Sequence, residues 1–356
     1  MTEVANRRLV NQRIVGAGGS SAAEVVAHMG AMQAQDYRNA LWAIGLRVRG
    51  SAERSIEQAI AAKEVVRTWP MRGTLHFLAA TDVHWILELL TPRVLAAAEK
   101  RAAVHGLNAA TFERCRGVCI AALSGGRQMM REALLREFEA AGVATEQQRG
   151  YHILWRLAHE RLICFGVHEG NQPTFALLDD WVAANTRWKP GDPLAELARR
   201  YFNSHGPATL QDFVWWCGLK VSDARNAIEV ARLPSEQIDE TTHWSSTAAP
   251  FAAPERSSAQ LLPAFDEYLL GYGDRTAVLD SAYAARVVPG GNGMFLPTVV
   301  VNGRVVGTWK RSLKKKSVTV TVSPFDGLAT AAKKAVAEAA EYYAAFVELR
   351  LELVLA

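Results

Sequence analysis

Helical patterns that end in a strand, a turn and a second strand recur along this chain, and that repetition constrains its fold more than any other feature. In the first copy a segment from Arg7 to Val15 is followed by a Gly/Ser-rich loop. Ser21 with Glu24 then makes a capping box, in which each side chain satisfies a backbone N–H left open at a helix start. Helices are expected over about 38–48 and 52–62. Val65 to Trp69 reads as a strand, Pro70 to Gly73 as a turn and Thr74 to Phe77 as the returning strand. The second copy has a helix over 131–140 that stops at Gly142. A Thr145/Gln148 capping box opens another helix to about Glu160. Strands over 162–167 and 174–178 flank a turn at Glu169, Gly170 and Asn171. A third, partial copy starts at Leu194, with a Thr209/Asp212 capping box, a turn at Gly218 and a helix capped by Ser222.

Helices closing on a β-hairpin are the mark of a winged helix, a variant of helix-turn-helix. After Pro250 the composition shifts to Pro, Gly and β-branched residues. Strands are expected over 260–265, 298–301, 305–309 and 317–322, with Asn302-Gly303 as a hairpin turn. A helix over 329–346 and a last strand over 348–355 complete this part. The fold class expected is α+β, tandem winged-helix units followed by a β-rich, barrel-like module. The boundaries are 1–95, 96–188, 190–250 and 255–356, since 356 residues exceed one ordinary core.

A net charge of +4 permits nucleic-acid binding without requiring it, because a local patch decides more than the sum. Cys115, Cys119, Cys164 and Cys217 are scattered, without zinc-ligand spacing, and read as reduced core residues. The opening MTEVANRRLVNQR has no apolar signal core, and no stretch is apolar for the length of a bilayer span. A cytoplasmic, monomeric protein without membrane contact is expected.

Two basic features stand out. Arg149, His152, Arg156 and His159 share one helix face, with Tyr151, Leu154, Leu157 and Ala158 mostly opposite. That face is either a solvated surface or a phosphate-contacting one. Lys310, Arg311, Lys314, Lys315 and Lys316 form the densest basic cluster, at a strand end, and suit contact with a DNA backbone. Gly16 to Gly19 follow no strand, so they are not a dinucleotide fingerprint. Metal, phosphate-loop and Ser-His-Asp patterns are absent, and no cofactor is expected.

The segments MQAQDYRNALWAIGLR, RGTLHFL, LLPAFDEYLLGYGDR, LPTVVVNGRVVGTWKR and SPFDGL together resemble the winged-helix DNA-binding family that includes the AlkZ and YcaQ DNA glycosylases. The resemblance runs from about residue 7 to the end. It implies a DNA glycosylase acting on duplex DNA, with a Gln-Φ-Gln catalytic motif that maps onto Gln33, Ala34 and Gln35. Many relatives carry Pro after QAQD, where this chain has Tyr37. The family pattern puts Thr74 and His76 near the site, and Arg72 in the preceding turn within reach of a phosphate.

N7- or N3-alkylated purines are already cationic and leave readily, so such an enzyme needs to place a water and to stabilise a positive sugar. A carboxamide is no general base, but it orients water through hydrogen bonds. Residues two apart share a face only in extended backbone, so the QAQ segment is expected to be extended or irregular. Asp36, beside it, is expected to cap the following helix. The nearest lysine, Lys63, is thirty residues from Gln33, which favours water over an amine nucleophile. The function read is a monofunctional glycosylase for alkylated purines, extending to bulky adducts or interstrand cross-links. The alternatives are a non-catalytic winged-helix transcription regulator and a lesion binder without activity.

Overall fold

The computed structural model describes residues 2–245 and 258–356. The composition shift at Pro250, and the boundary expected between 250 and 255, lie outside the described residues. The chain forms two compact units, one of residues 1–57 with 194–356 and one of 58–193. The four consecutive modules expected from the sequence therefore do not coincide with the compact units. The first three helices of the first copy and its hairpin fall in different units, and the division runs through helix Glu53–Ala61.

Within the 58–193 unit the two hairpins join into one antiparallel sheet. Its strand order is Thr74–Ala79, Val65–Met71, Ile163–Glu169, Gln172–Leu177, Met129–Met130. Arg67 pairs with Phe165 where the hairpins meet. The ring centroids of Trp69 and Phe165 lie 5.0 Å apart, and those of Phe165 and Phe175 4.7 Å. These rings head a core shared with Cys115, Cys119, Phe138, Ile153 and Leu157. The four cysteines are buried thiols outside any disulfide, and burial pushes the Cys115 thiol up to about 11 and that of Cys119 to about 12. The first hairpin turns only at Arg72 and Gly73, both at positive φ, so Pro70 and Met71 belong to the strand rather than to the expected turn.

The expected Thr145/Gln148 capping box does not form. The helix runs Arg149–His159, Gln148 precedes it at φ +70° without a side-chain cap, and the Thr145 hydroxyl bonds Glu139 instead. His159, expected on the outward face, is fully buried, and its ring centroid lies 3.8 Å from that of Trp155.

In the other unit the helix–helix–hairpin order reappears as Pro193–His205, Leu210–Cys217, Val221–Ala231 and the strands Ser235–Ile238 and Thr241–Trp244. The Thr209/Asp212 capping box is formed, whereas the last helix starts after Lys220 and Ser222 is not its cap. The same unit carries a curled half-barrel sheet in the order Arg350–Leu355, Ser317–Pro324, Arg304–Leu313, Thr298–Val301, Ala259–Leu262. Only the pair of Ser317–Pro324 with Arg350–Leu355 is parallel. A parallel partner needs a crossover, and helix Thr330–Phe346 provides it. Asn302 and Gly303, at φ +49° and +80°, make the expected tight turn.

The N-terminal segment joins this unit through helix Tyr37–Gly45. Trp42 stacks among Tyr342, Tyr343 and Phe346 at centroid distances of 5.5, 5.0 and 4.9 Å. A Cβ on Gly45 would lie 2.2 Å from the Phe346 ring, so the close helix approach demands glycine. The architecture is α+β, with helices, small sheets and the curled sheet near the C-terminus.

Candidate active site

Local signals shape the QAQ segment. Helix Ala22–Met29 starts at Ser21, whose hydroxyl accepts from the Glu24 N–H, and stops at Gly30, φ +76°. Met32–Gln33 is then extended, the backbone bends at Gln35 and Asp36, and helix Tyr37–Gly45 begins. Asp36 is the N-cap. Its two oxygens accept from the Asn39 backbone N–H at 3.1 Å and from the Asn39 amide at 2.8 Å. Both are committed to a helix start, which suits a cap better than a catalytic base.

Gln33 and Gln35 differ in surroundings. Gln33 is 8% exposed, and its side-chain oxygen accepts from the Gln35 N–H at 3.2 Å, closing the bend. Gln35 is exposed at the top of that bend. The Gln33 N–H donates to Glu267 Oε1 at 3.0 Å. Glu267 is 1% exposed, and its other oxygen accepts from Trp216 Nε1 at 3.1 Å and lies 3.4 Å from His205 Nε2. His205 is held below the ordinary histidine range by burial, with the Glu267 carboxylate opposing that shift.

Beneath Glu267 lies a buried polar core. Glu267 opens the short helix Glu267–Leu270, capped by Asp266, which accepts from the Tyr268 N–H at 2.9 Å. Asp266 also takes both terminal nitrogens of Arg47, at 2.8 and 2.9 Å, with both side chains sealed from solvent. Arg47 donates further to the carbonyls of Gln12 and Ala43 and to the Gln12 side chain. Gln12 in turn donates to the Tyr272 hydroxyl at 3.0 Å, over whose ring the Arg8 guanidinium lies at 3.7 Å. Both carboxylates in this chain of contacts are hydrogen-bonded, and Arg47 matches the charge of Asp266, so the platform under Gln33 is fixed. The DEYLLGY segment is thus the foundation of the QAQ bend. It lies in one of the stretches that carry the family resemblance. Two adjacent acids inside an apolar run was the available signal, because such acids are buried only when paired.

The remaining residues singled out from sequence lie as follows. Thr74, His76 and Arg72 belong to the 58–193 unit and Gln33 and Gln35 to the other. His76 is fully buried, with Nδ1 3.0 Å from the Thr74 carbonyl, while Thr74 and Arg72 are half-buried. Arg149 is occupied with local carbonyls, donating to Ala144 at 2.8 Å and to His105. Arg156 bonds Glu99 at 2.7 Å and Glu160 at 2.5 Å and lies over Phe112. His152 lies against His105, centroids 4.4 Å apart, and is held below its ordinary range by burial and then by His105 and Arg101. This half-buried face is largely bonded within the protein. Lys314 and Lys315 are exposed in the turn between strands Arg304–Leu313 and Ser317–Pro324, where Lys314 reaches Glu352 at 3.3 Å. Among the described residues no cluster of His, Cys, Asp or Glu is arranged to hold a metal, and no helix is long and apolar enough to cross a membrane.

An exposed carboxamide on a bend locked to a buried acidic platform suits a protein that orders a small polar reactant rather than one that ionises it. Comparison with known proteins gives the family. The model for DNA glycosylase AlkZ-like proteins matches residues 26–346, and the chain belongs to that family. It is 26% identical to a Streptomyces sahachiroi protein described as an interstrand DNA cross-link repair glycosylase, over 82% of each chain. It also matches the solved structure of Streptomyces sahachiroi DNA glycosylase AlkZ, with a TM-score of 0.82 and 24% identity, over 100% of this chain and 99% of that one.

Proposed function

We propose that this DNA glycosylase is monofunctional and hydrolyses the N-glycosidic bond of alkylated purines in duplex DNA, including bulky adducts and interstrand cross-links. The observation that carries the reading is the exposed Gln35, held by the Gln33 side chain on a bend that Glu267 anchors. Gln35 orients the attacking water and a sugar oxygen, and Gln33 keeps it there. The cationic purine leaves without needing a strong acid, and ordered dipoles stabilise the developing sugar cation. The nearest lysine in sequence, Lys63, is thirty residues from Gln33, which supports water as the nucleophile. The cross-link substrate is supported by the description of the S. sahachiroi relative alone.

The helix-then-hairpin segments act as winged-helix units on DNA, with Thr74 and Arg72 lesion-facing, the buried His76 steadying Thr74 through its carbonyl, and Lys314 and Lys315 on phosphates. Arg149, His152 and Arg156 take part by shaping their helix, given their internal partners. The protein works as a cytoplasmic monomer. Release of free base from duplex DNA containing N7-methylguanine tests the reading. Catalytic release without strand scission is expected, and tight duplex binding without any release would leave a lesion binder instead.

A further inference from the structure

We infer that Glu267 is the positioning residue of the catalytic bend, acting on Gln35 through Gln33. The inference rests on the reading just given. One oxygen of this buried carboxylate accepts from the Gln33 N–H at 3.0 Å, and the oxygen of the Gln33 side chain accepts from the Gln35 N–H at 3.2 Å. The two bonds run in series from a fixed group to the backbone of Gln35, the residue that carries the exposed carboxamide. The fixed group is itself over-determined. Its second oxygen holds Trp216 Nε1 at 3.1 Å and lies 3.4 Å from His205 Nε2, and its helix is pinned by the Arg47–Asp266 pair. Seven residues, 30–36, connect the two helices, and a charge-assisted bond from a rigid partner restrains the geometry of the bend they form. Reach, rather than charge at the reacting centre, is what Glu267 supplies.

Reach and charge separate by substitution. Glu267→Gln keeps the length and an acceptor oxygen for the Gln33 N–H. Its amide then faces His205, which accepts once its other nitrogen donates to Ser204 Oγ, 2.8 Å away, while the Trp216 Nε1–H loses the acceptor it has in Glu267, a cost in stability rather than in reach. Glu267→Asp keeps the charge but withdraws it by one methylene. Tyr268→Phe, on the same helix, removes a buried hydroxyl 2.8 Å from the Gly303 carbonyl and touches neither glutamine. Single-turnover excision of N7-methylguanine and hydrogen exchange at the Gln33 amide are measured on the folded fraction of each. Glu267→Asp is expected to lose about tenfold or more in rate, since small misplacement of reacting groups is costly. Its KM should barely change and the Gln33 amide should lose protection. Glu267→Gln is expected within about threefold of the parent with protection kept, and Tyr268→Phe to lose stability only.

Should Glu267→Asp not fold, Glu267→Gln decides, because a rate loss with the Gln33 amide still protected overturns the inference. So does a Glu267→Asp enzyme with the parental rate. If Gln33→Ala and Gln35→Ala retain full activity, the underlying reading fails rather than this step.

Discussion

Replacing Arg47 by Met tests the foundation of the site. The guanidinium makes five hydrogen bonds, two of them to Asp266, with neither side chain of the pair exposed. Methionine fills much of the space but leaves the Asp266 carboxylate buried without its cation. Breaking a buried pair from one side costs about 3–5 kcal/mol, because the remaining charge keeps its desolvation penalty. Asp266→Asn in the same chain removes that charge and keeps an oxygen for the Tyr268 N–H. The double variant should therefore recover on the order of 2 kcal/mol relative to Arg47→Met. Two compact units need a region-resolved assay, so urea unfolding is read by hydrogen exchange of peptides covering 1–57 and 258–275. A loss below about 1 kcal/mol for Arg47→Met would refute the reasoning, as would a double variant destabilised by the sum of the singles.

Two further outcomes are expected. His159 is buried and pushed down to about 4 by desolvation, so between that value and 6.5 the unfolded chain binds a proton the folded one refuses. Stability of the 58–193 unit should rise with pH across that window and fall on acidification, by on the order of 3 kcal/mol from this residue, and His159→Leu should flatten the profile measured by urea titration. Lys314→Ala and Lys315→Ala should each lower the slope of log affinity against log salt for duplex DNA by about one, and unchanged slopes would place the phosphate contacts elsewhere.

Much of the fold was legible because local chemistry and tertiary structure agree. Asn302-Gly303 has no alternative to a tight turn, and Thr209/Asp212 and Asp36 cap where their sequence context says they should. Local rules fail where a distant partner competes. Thr145 turns to Glu139 instead of capping, and His159 follows the core rather than the charge pattern of its helix face. The compact units were not legible at all, because the pairing of Arg67 with Phe165 and the Arg47–Asp266 bond join segments far apart in sequence. At the site the Gln pair was legible only through the family resemblance. Its bend was legible from the i, i+2 spacing, whereas Glu267 was invisible, since 234 residues separate it from the N–H it holds.

In the proposed reaction Gln35, steadied by Gln33, orders the water, and no carboxylate beside it acts as the base. Single-turnover release of N7-methylguanine from duplex DNA by Gln33→Ala, Gln35→Ala and Asp36→Asn tests this directly. Both Gln variants are expected to lose on the order of a hundredfold or more in rate, Gln35→Ala with folding and DNA affinity nearly intact and the buried Gln33→Ala measured on its folded fraction. Asp36→Asn, which preserves an N-cap, is expected to keep its rate. Excision abolished by Asp36→Asn and retained by the Gln variants would contradict the account and make Asp36 the base.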